Sequence, residues 1–242
     1  MTSRLLIVGP GFVGSAIAQE ALAKGWAVRC LSRRGVPHSP GAAWASEVEW
    51  VKGDACDAGA YEKALEDVQA LVCAVGSPPL PDLISDKATA LRMNGDANAT
   101  ALAEAEARGV SRAVLVSAQM PSALASVSSG YFEGKMRAEK AAEGFAASAV
   151  ERSAVVLKPG AVSGARTVST PIGNVSIPLN LALGPVSFLA KAMPSAIAEN
   201  APVPLGNVAR AALAGLSEER FAGAFSVIAN SELLADFGAA KK

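Results

Sequence analysis

Tyr131 and Lys135 stand four residues apart in the stretch GYFEGKMRAEK, from Gly130 to Lys140. Four residues is about one helical turn, so the two side chains share a helix face. A phenol can give or take a proton, and a nearby ammonium favours the phenolate. An unperturbed tyrosine titrates at about 10, so such a neighbour is what would make it useful near neutrality. The spacing alone leaves two readings open, a proton-transfer pair or two ordinary helix neighbours. Near the start, IVGPGFVGSAI sets Gly9, Gly11 and Gly14 as G-x-G-x-x-G, with Phe12 and Val13 between the last two.

The elements that must position these residues alternate regularly. RLLIVG reads as a strand and FVGSAIAQEALAKG as a helix stopped at Gly25. Further strands follow as WAVRCLS, VEWVKGD, QALVCAVG, SRAVLVS and SAVVLKPG, with AFSVIA as a last one. Helices are expected at about Gly59 to Asp67, over Ser85 to Arg108, around Tyr131 and Lys135, and at LGNVARAALAGL. Such alternation predicts an α/β fold: a Rossmann-type doubly wound parallel sheet with helices on both faces and a small C-terminal substrate lobe. Residues 1–242 read as a single domain, with 160–205 as a substrate or lid region.

In this frame the glycine motif follows a strand and opens a helix, which gives it meaning. Gly9 allows the tight turn, Gly11 a close backbone approach to a pyrophosphate, and Gly14 close helix–strand packing. A dinucleotide site is the expectation. Where NAD enzymes carry an acidic residue after the second strand, this chain has Ser32, Arg33 and Arg34. Guanidinium groups suit a 2′-phosphate, so NADP(H) is favoured over NAD(H).

Composition closes off other chemistries. The chain of 242 residues is 51% hydrophobic and 18% charged, with Lys plus Arg and Asp plus Glu at 22 each. It therefore has no basic field for nucleic acid. His38 is the only histidine, which excludes a multi-histidine zinc site on this chain, and no G-x-S-x-G accompanies it. Cys30, Cys56 and Cys73 form no C-x-x-C and suggest packing roles in a reducing compartment. No signal peptide is visible, and the apolar run Ile177 to Met193 is interrupted by Pro178, Asn180, Pro185 and Lys191, so no membrane span is expected. A cytoplasmic location or an organellar matrix or stroma fits both.

Together GPGFVGS, GDACD, VCAVG, MNGDANATALAEAEARGV, VLVSAQ, YFEGK, LKPGAVSG and PVPLGNVARAA, in that order, resemble the short-chain dehydrogenase/reductase superfamily. The nearest branch is the extended and atypical one related to epimerases. Within it, the chain is similar to the Rossmann-type accessory subunit of respiratory complex I and to accessory proteins of coenzyme Q biosynthesis. The resemblance implies an acid/base role for Tyr131. It implies that Lys135 holds the nicotinamide ribose and lowers the tyrosine pKa. Ser117, at the end of the fifth strand, would orient a substrate oxygen, with Gln119 and Ser122 as alternatives. Asp54 would lie near the adenine, and Ala74, Val75 and Gly76 beside the cofactor ribose. Asn94 or Asn98 would be a structural polar residue, with Pro159 and Gly160 next to the nicotinamide.

Three functions are compatible with this. The first is an NADP(H)-dependent oxidoreductase acting on a carbonyl or alcohol, with a lipophilic, quinone-like substrate suggested by the run Ile177 to Met193. The second is an NADP(H)-binding structural or assembly subunit, for which that run would be a partner or peripheral membrane contact. The third is a redox-sensing regulator. The same run could equally pack the core of the C-terminal lobe.

Overall fold

The computed structural model describes residues 3–37, 41–82, 86–119, 127–170, 173–178 and 201–234. His38, Ser122 and most of the run Ile177 to Met193 lie outside them, as does part of the 160–205 region.

Seven strands form one parallel sheet: β1 (Arg4–Val8), β2 (Ala27–Ser32), β3 (Glu49–Lys52), β4 (Ala70–Cys73), β5 (Arg112–Val116), β6 (Ser153–Lys158) and β11 (Phe225–Ala229). Their order is β11-β6-β5-β4-β1-β2-β3, so the chain reverses its winding between β1 and β4. A crevice opens there at the carboxyl ends of the strands, where ligands of such sheets bind. The central strands are apolar along their length because both faces are covered. Leu5 and Ile7 pack on one face with α1 (Phe12–Ala23) and the helix Leu205–Ser217. Leu6 and Val8 pack on the other with the helices Ala97–Ala107 and Ser129–Ala147. Outside this sheet β7 (Val162–Ser163) pairs with β10 (Val203–Pro204), and β8 (Ala165–Thr170) with β9 (Gly173–Pro178).

All seven expected strands are present, and Gly25 ends α1 with φ +80. Two helices differ from expectation. The one expected over Gly59 to Asp67 is a 3₁₀ turn, Ala58–Ala60, followed by the single turn α2, Tyr61–Ala64. Buried Arg29 explains the early stop: its Nη1 donates to the carbonyls of Lys63, Ala64 and Glu66, and Asp67 turns the chain at φ 56. The long helix begins at α3 (Lys87–Leu91), capped by the Asp86 carboxylate on the Thr89 N–H, and ends as α4 (Ala97–Ala107). Between them, Arg92–Asp96 winds as a π-helix. Asn94 Nδ2 donates to the Ala90 carbonyl and Asn98 Nδ2 to the Asn94 carbonyl, so side chains occupy acceptors along this stretch.

That π turn meets α5 (Ser129–Ala147) at backbone contact. A Cβ on Gly95 would lie 3.0 Å from the Gly134 Cα, and one on Gly134 would lie 2.9 Å from the Asn94 Cβ and 3.0 Å from the Gly95 nitrogen. Gly144, on the same helix, faces open space. The two positions should therefore respond with opposite sign. Gly134→Ala must force the helices apart, an overpacking cost of about 1–3 kcal/mol against a propensity gain of about 1. Gly144→Ala should collect the gain alone. Denaturant titration is expected to place Gly134→Ala below the wild type and Gly144→Ala above it; equal effects would refute the close contact.

Candidate functional site

The glycine turn leaves β1 at Gly9, whose φ of +84 suits glycine and whose missing Cβ would lie 2.8 Å from the Val75 nitrogen. A Cβ on Gly14 would meet the Gly9 carbonyl oxygen at 2.4 Å, so α1 rests on its own entry turn. The Gly11 position faces open space, and no side chain caps the first turn that Phe12 and Val13 begin. Amides free of a side-chain acceptor beside an open approach fit the pyrophosphate of a dinucleotide.

At one end of this crevice stands a cluster of charges. Ser32 Oγ accepts from the Gly35 N–H, and Arg33 and Arg34 follow exposed at the end of β2. Asp54 follows β3 with its carboxyl held below its usual range. The Cys56 N–H at 3.0 Å contributes most, then Arg92, whose Nη2 lies 2.7 Å away, then Arg33. Arg92 sits on the π turn and carried no signal in the sequence.

At the other end, α5 brings Tyr131 and Lys135 to the crevice wall, both nearly buried. Its first turn is fixed from the loop after β4: the Asp82 carboxylate accepts from the Ser129 N–H at 2.9 Å, its hydroxyl at 2.6 Å, and the Gly130 N–H at 3.3 Å. Lys135 Nζ donates to the Val116 carbonyl at 3.0 Å and lies 5.7 Å from the Tyr131 ring centre. A Cβ on Gly76 would come within 3.5 Å of Lys135 Nζ and 3.0 Å of Asn94 Oδ1, which in turn accepts from the Ser77 N–H. Asn98 Nδ2 donates to the Val75 carbonyl. Ala74, Val75 and Gly76 therefore run between the glycine turn and the lysine.

Ser117 takes a different place from Tyr131 and Lys135. Its hydroxyl donates to Glu139 Oε1 at 2.5 Å, and Glu139 Oε2 accepts from Lys158 Nζ at 2.9 Å. A cavity of about 190 Å³ is lined by Tyr131, Phe132, Lys135, Met136, Glu139 and Lys158, with Ala118 and Gln119. Gln119 N–H donates to the Pro159 carbonyl at 2.8 Å, and Gly160 N–H to Asn230 Oδ1 at 2.6 Å, which ties the ends of β5 and β6 to the short helix Asn230–Leu233. Glu139 and Lys158 were not singled out from sequence. The first continues the four-residue spacing of Tyr131 and Lys135 and was legible there; the second needed the fold.

Electrostatics correct one expectation. Lys135 does not depress the tyrosine here. Burial strips both charged forms of water, pushing Tyr131 up to about 12 and Lys135 down to about 8, the latter opposed by Glu139.

A family described as NAD(P)H-binding matches residues 9–168, well over half the chain and the span from the glycine turn into β8. The chain belongs to that family. Among known proteins it is 30% identical over 233 residues to an uncharacterized chloroplastic protein of Arabidopsis thaliana, At1g32220, covering 92% of this chain and 74% of the relative. Its fold matches a short-chain dehydrogenase/reductase family oxidoreductase of Burkholderia thailandensis at TM-score 0.70 and 20% identity, over 98% and 94% of the two chains. It matches UDP-glucose 4-epimerase of Brucella ovis in complex with NAD at 0.68 and 17%, over 95% and 78%. It matches ElxO with NADP bound at 0.67 and 18%, over 97% and 100%. The NAD(P)H-binding family thus appears here on the fold shared by these short-chain dehydrogenase/reductase and epimerase structures, of which one complex holds NAD and another NADP. Among the described residues no helix is long and apolar enough to cross a membrane, and no group of acidic, histidine and cysteine side chains could hold a metal.

The buried lysine makes a stability prediction. Between pH about 8 and 10.5 the folded chain has released the Lys135 proton while the unfolded chain keeps it. The unfolded state then binds more protons, so stability rises with pH across that window, from this group by roughly 2–3 kcal/mol. Below pH 8 the full cost of burying the charge is present. In denaturant titrations at pH 7 and pH 10.5, wild type should gain on Lys135→Met by about that amount at the higher pH. A constant gap would contradict the depressed lysine.

Proposed function

We propose that this chain is an NADP(H)-dependent oxidoreductase that interconverts a carbonyl and an alcohol. The observation that carries this reading is the joint placement of Tyr131 and Lys135 on one face of α5, beside Gly76 and across the crevice from the Gly9–Gly14 turn. The dinucleotide, when bound, supplies or accepts the hydride. The chain's own part is orientation and proton transfer. The first-turn amides of α1 hold phosphate, and Arg33 and Arg34 face the 2′-phosphate. The Lys135 ammonium, anchored on the Val116 carbonyl, reaches the ribose hydroxyls. Tyr131 Oη gives its proton to the carbonyl oxygen as it gains charge, or takes it back from the alcohol. Burial raises the phenol and so keeps it protonated at neutral pH, as a proton donor must be.

The cavity suggests a lipophilic substrate. Phe132 and Met136, each one residue beyond Tyr131 and Lys135, stay exposed and line the same space, while Lys158 binds the Glu139 carboxylate. The likeness of the fold to a short-chain dehydrogenase/reductase family oxidoreductase and to an epimerase favours turnover over a purely structural role.

NADPH oxidation with a panel of neutral ketones and quinones tests this directly. Tyr131→Phe should lower kcat by about 10²–10⁴-fold while NADPH affinity changes little. Equal rates in both proteins would remove Tyr131 from the chemistry. The cofactor preference is separately testable. By isothermal titration, Arg33→Asp should weaken NADPH by roughly 10- to 100-fold, since a charge-assisted contact contributes about 1.5–3 kcal/mol. NADH should be little affected. Tighter binding of NADH than NADPH by the wild type would defeat the preference.

A further inference from the structure

We propose that Glu139 is a positioning residue of this site: its carboxylate, clamped between Ser117 and Lys158, is the counter-charge that keeps the buried Lys135 ammonium protonated. The inference deepens the proposed function, because a charged Lys135 is what that reading requires.

Geometry supports it at three points. Tyr131, Lys135 and Glu139 recur every fourth residue on α5 and line the same cavity. Lys135 and Glu139 are fixed against consecutive residues at the end of β5: the Val116 carbonyl takes the ammonium, and the Ser117 hydroxyl donates to the carboxylate. Finally, the hydrogen-bond acceptor of Lys135 is a neutral carbonyl, whereas a buried charge is tolerated when an opposite charge accompanies it. Among the described residues lining the cavity, Glu139 is the only carboxylate.

The other groups around Lys135 define what Glu139 must do. On α5, Glu133 is engaged with Lys87 and Arg137 with Asp96, both away from the cavity lining. The π turn presents Asn94, which is neutral. Tyr131 is the titratable neighbour one turn earlier. From β6, Lys158 binds Glu139 at 2.9 Å and competes with Lys135 for its field. Glu139 is accordingly shared between two lysines, one buried and one partly exposed. The opposition of Glu139 to the burial effect on Lys135 agrees with this arrangement.

Removing the carboxylate and removing its competitor should therefore act in opposite directions. In protein labelled with ¹³Cε-lysine, the Lys135 signal is identified by its loss in Lys135→Met, and its titration followed by NMR. Glu139→Gln preserves shape and an acceptor for Ser117, and should lower the midpoint by about one pH unit; Lys158→Met should raise it. A Glu139→Gln midpoint equal to wild type, or shifts of the same sign in both variants, overturns the proposal. A general loosening of the site cannot produce opposite shifts. Should Glu139→Gln fail to fold, the double variant Glu139→Gln/Lys158→Met is compared with Lys158→Met: a lower midpoint in the double variant supports the proposal, and an equal or higher one rejects it. The pH above which NADPH affinity declines should move with the NMR midpoint. If the wild type binds no NADPH, the cofactor reading fails while the NMR midpoints still judge Glu139.

Discussion

The site depends on two helices touching backbone to backbone. Where the π turn of Arg92–Asp96 crosses α5, Gly95 and Gly134 face each other with no room for a side chain on either. Any larger residue would separate the helices, and with them the two halves of the crevice. That contact delivers Asn94 to Gly76 and Ser77 on one side and Lys135 to Gly76 and Val116 on the other. The π turn is part of the same constraint. Its extra residue per turn accompanies the Asn94 and Asn98 side-chain bonds that run along the strand end.

Around this contact the protein tolerates a cost. An ammonium buried beside a phenol loses hydration, and a single carbonyl bond does not replace it. The cost is contained because other charges on and facing the helix are engaged. Asp82 closes the exposed amides at the start of α5, Lys87 and Arg137 are matched by acids on or facing the same helix, and Glu139 stands between Lys135 and Lys158. The helix is thus held at its first turn, middle and third turn by groups from three other parts of the chain. Such support is what keeps a proton-transferring phenol within reach of a bound ring.

The opposite end of the crevice obeys a looser rule. Arg33, Arg34, Asp54 and Arg92 are exposed or half-exposed, so their contacts are weak singly and screened by salt. Recognition there would come from the arrival of a multiply charged group rather than from a preformed lock. This separates the requirements along one ligand: shape and dryness at the nicotinamide end, charge at the adenosine end.

The amino-acid sequence by itself determined the sheet, because apolar runs bounded by glycines can only be central parallel strands when helices of matching length separate them. It also determined the glycine turn, since the order strand, G-x-G-x-x-G, helix carries its own geometric meaning, and it paired Tyr131 with Lys135 through helical periodicity. What only tertiary structure decided was which polar groups meet across elements. Ser117 read as a substrate-facing hydroxyl, yet its hydroxyl donates to Glu139 on α5. Arg92 read as an anonymous helix residue, yet it reaches Asp54. Arg29 ended a helix that periodicity extended to Asp67. The tyrosine and lysine pKa shifts were set by burial, which follows from packing and not from spacing. Periodicity is local and survives in one dimension; desolvation and partner choice are sums over neighbours that the chain brings together only when folded.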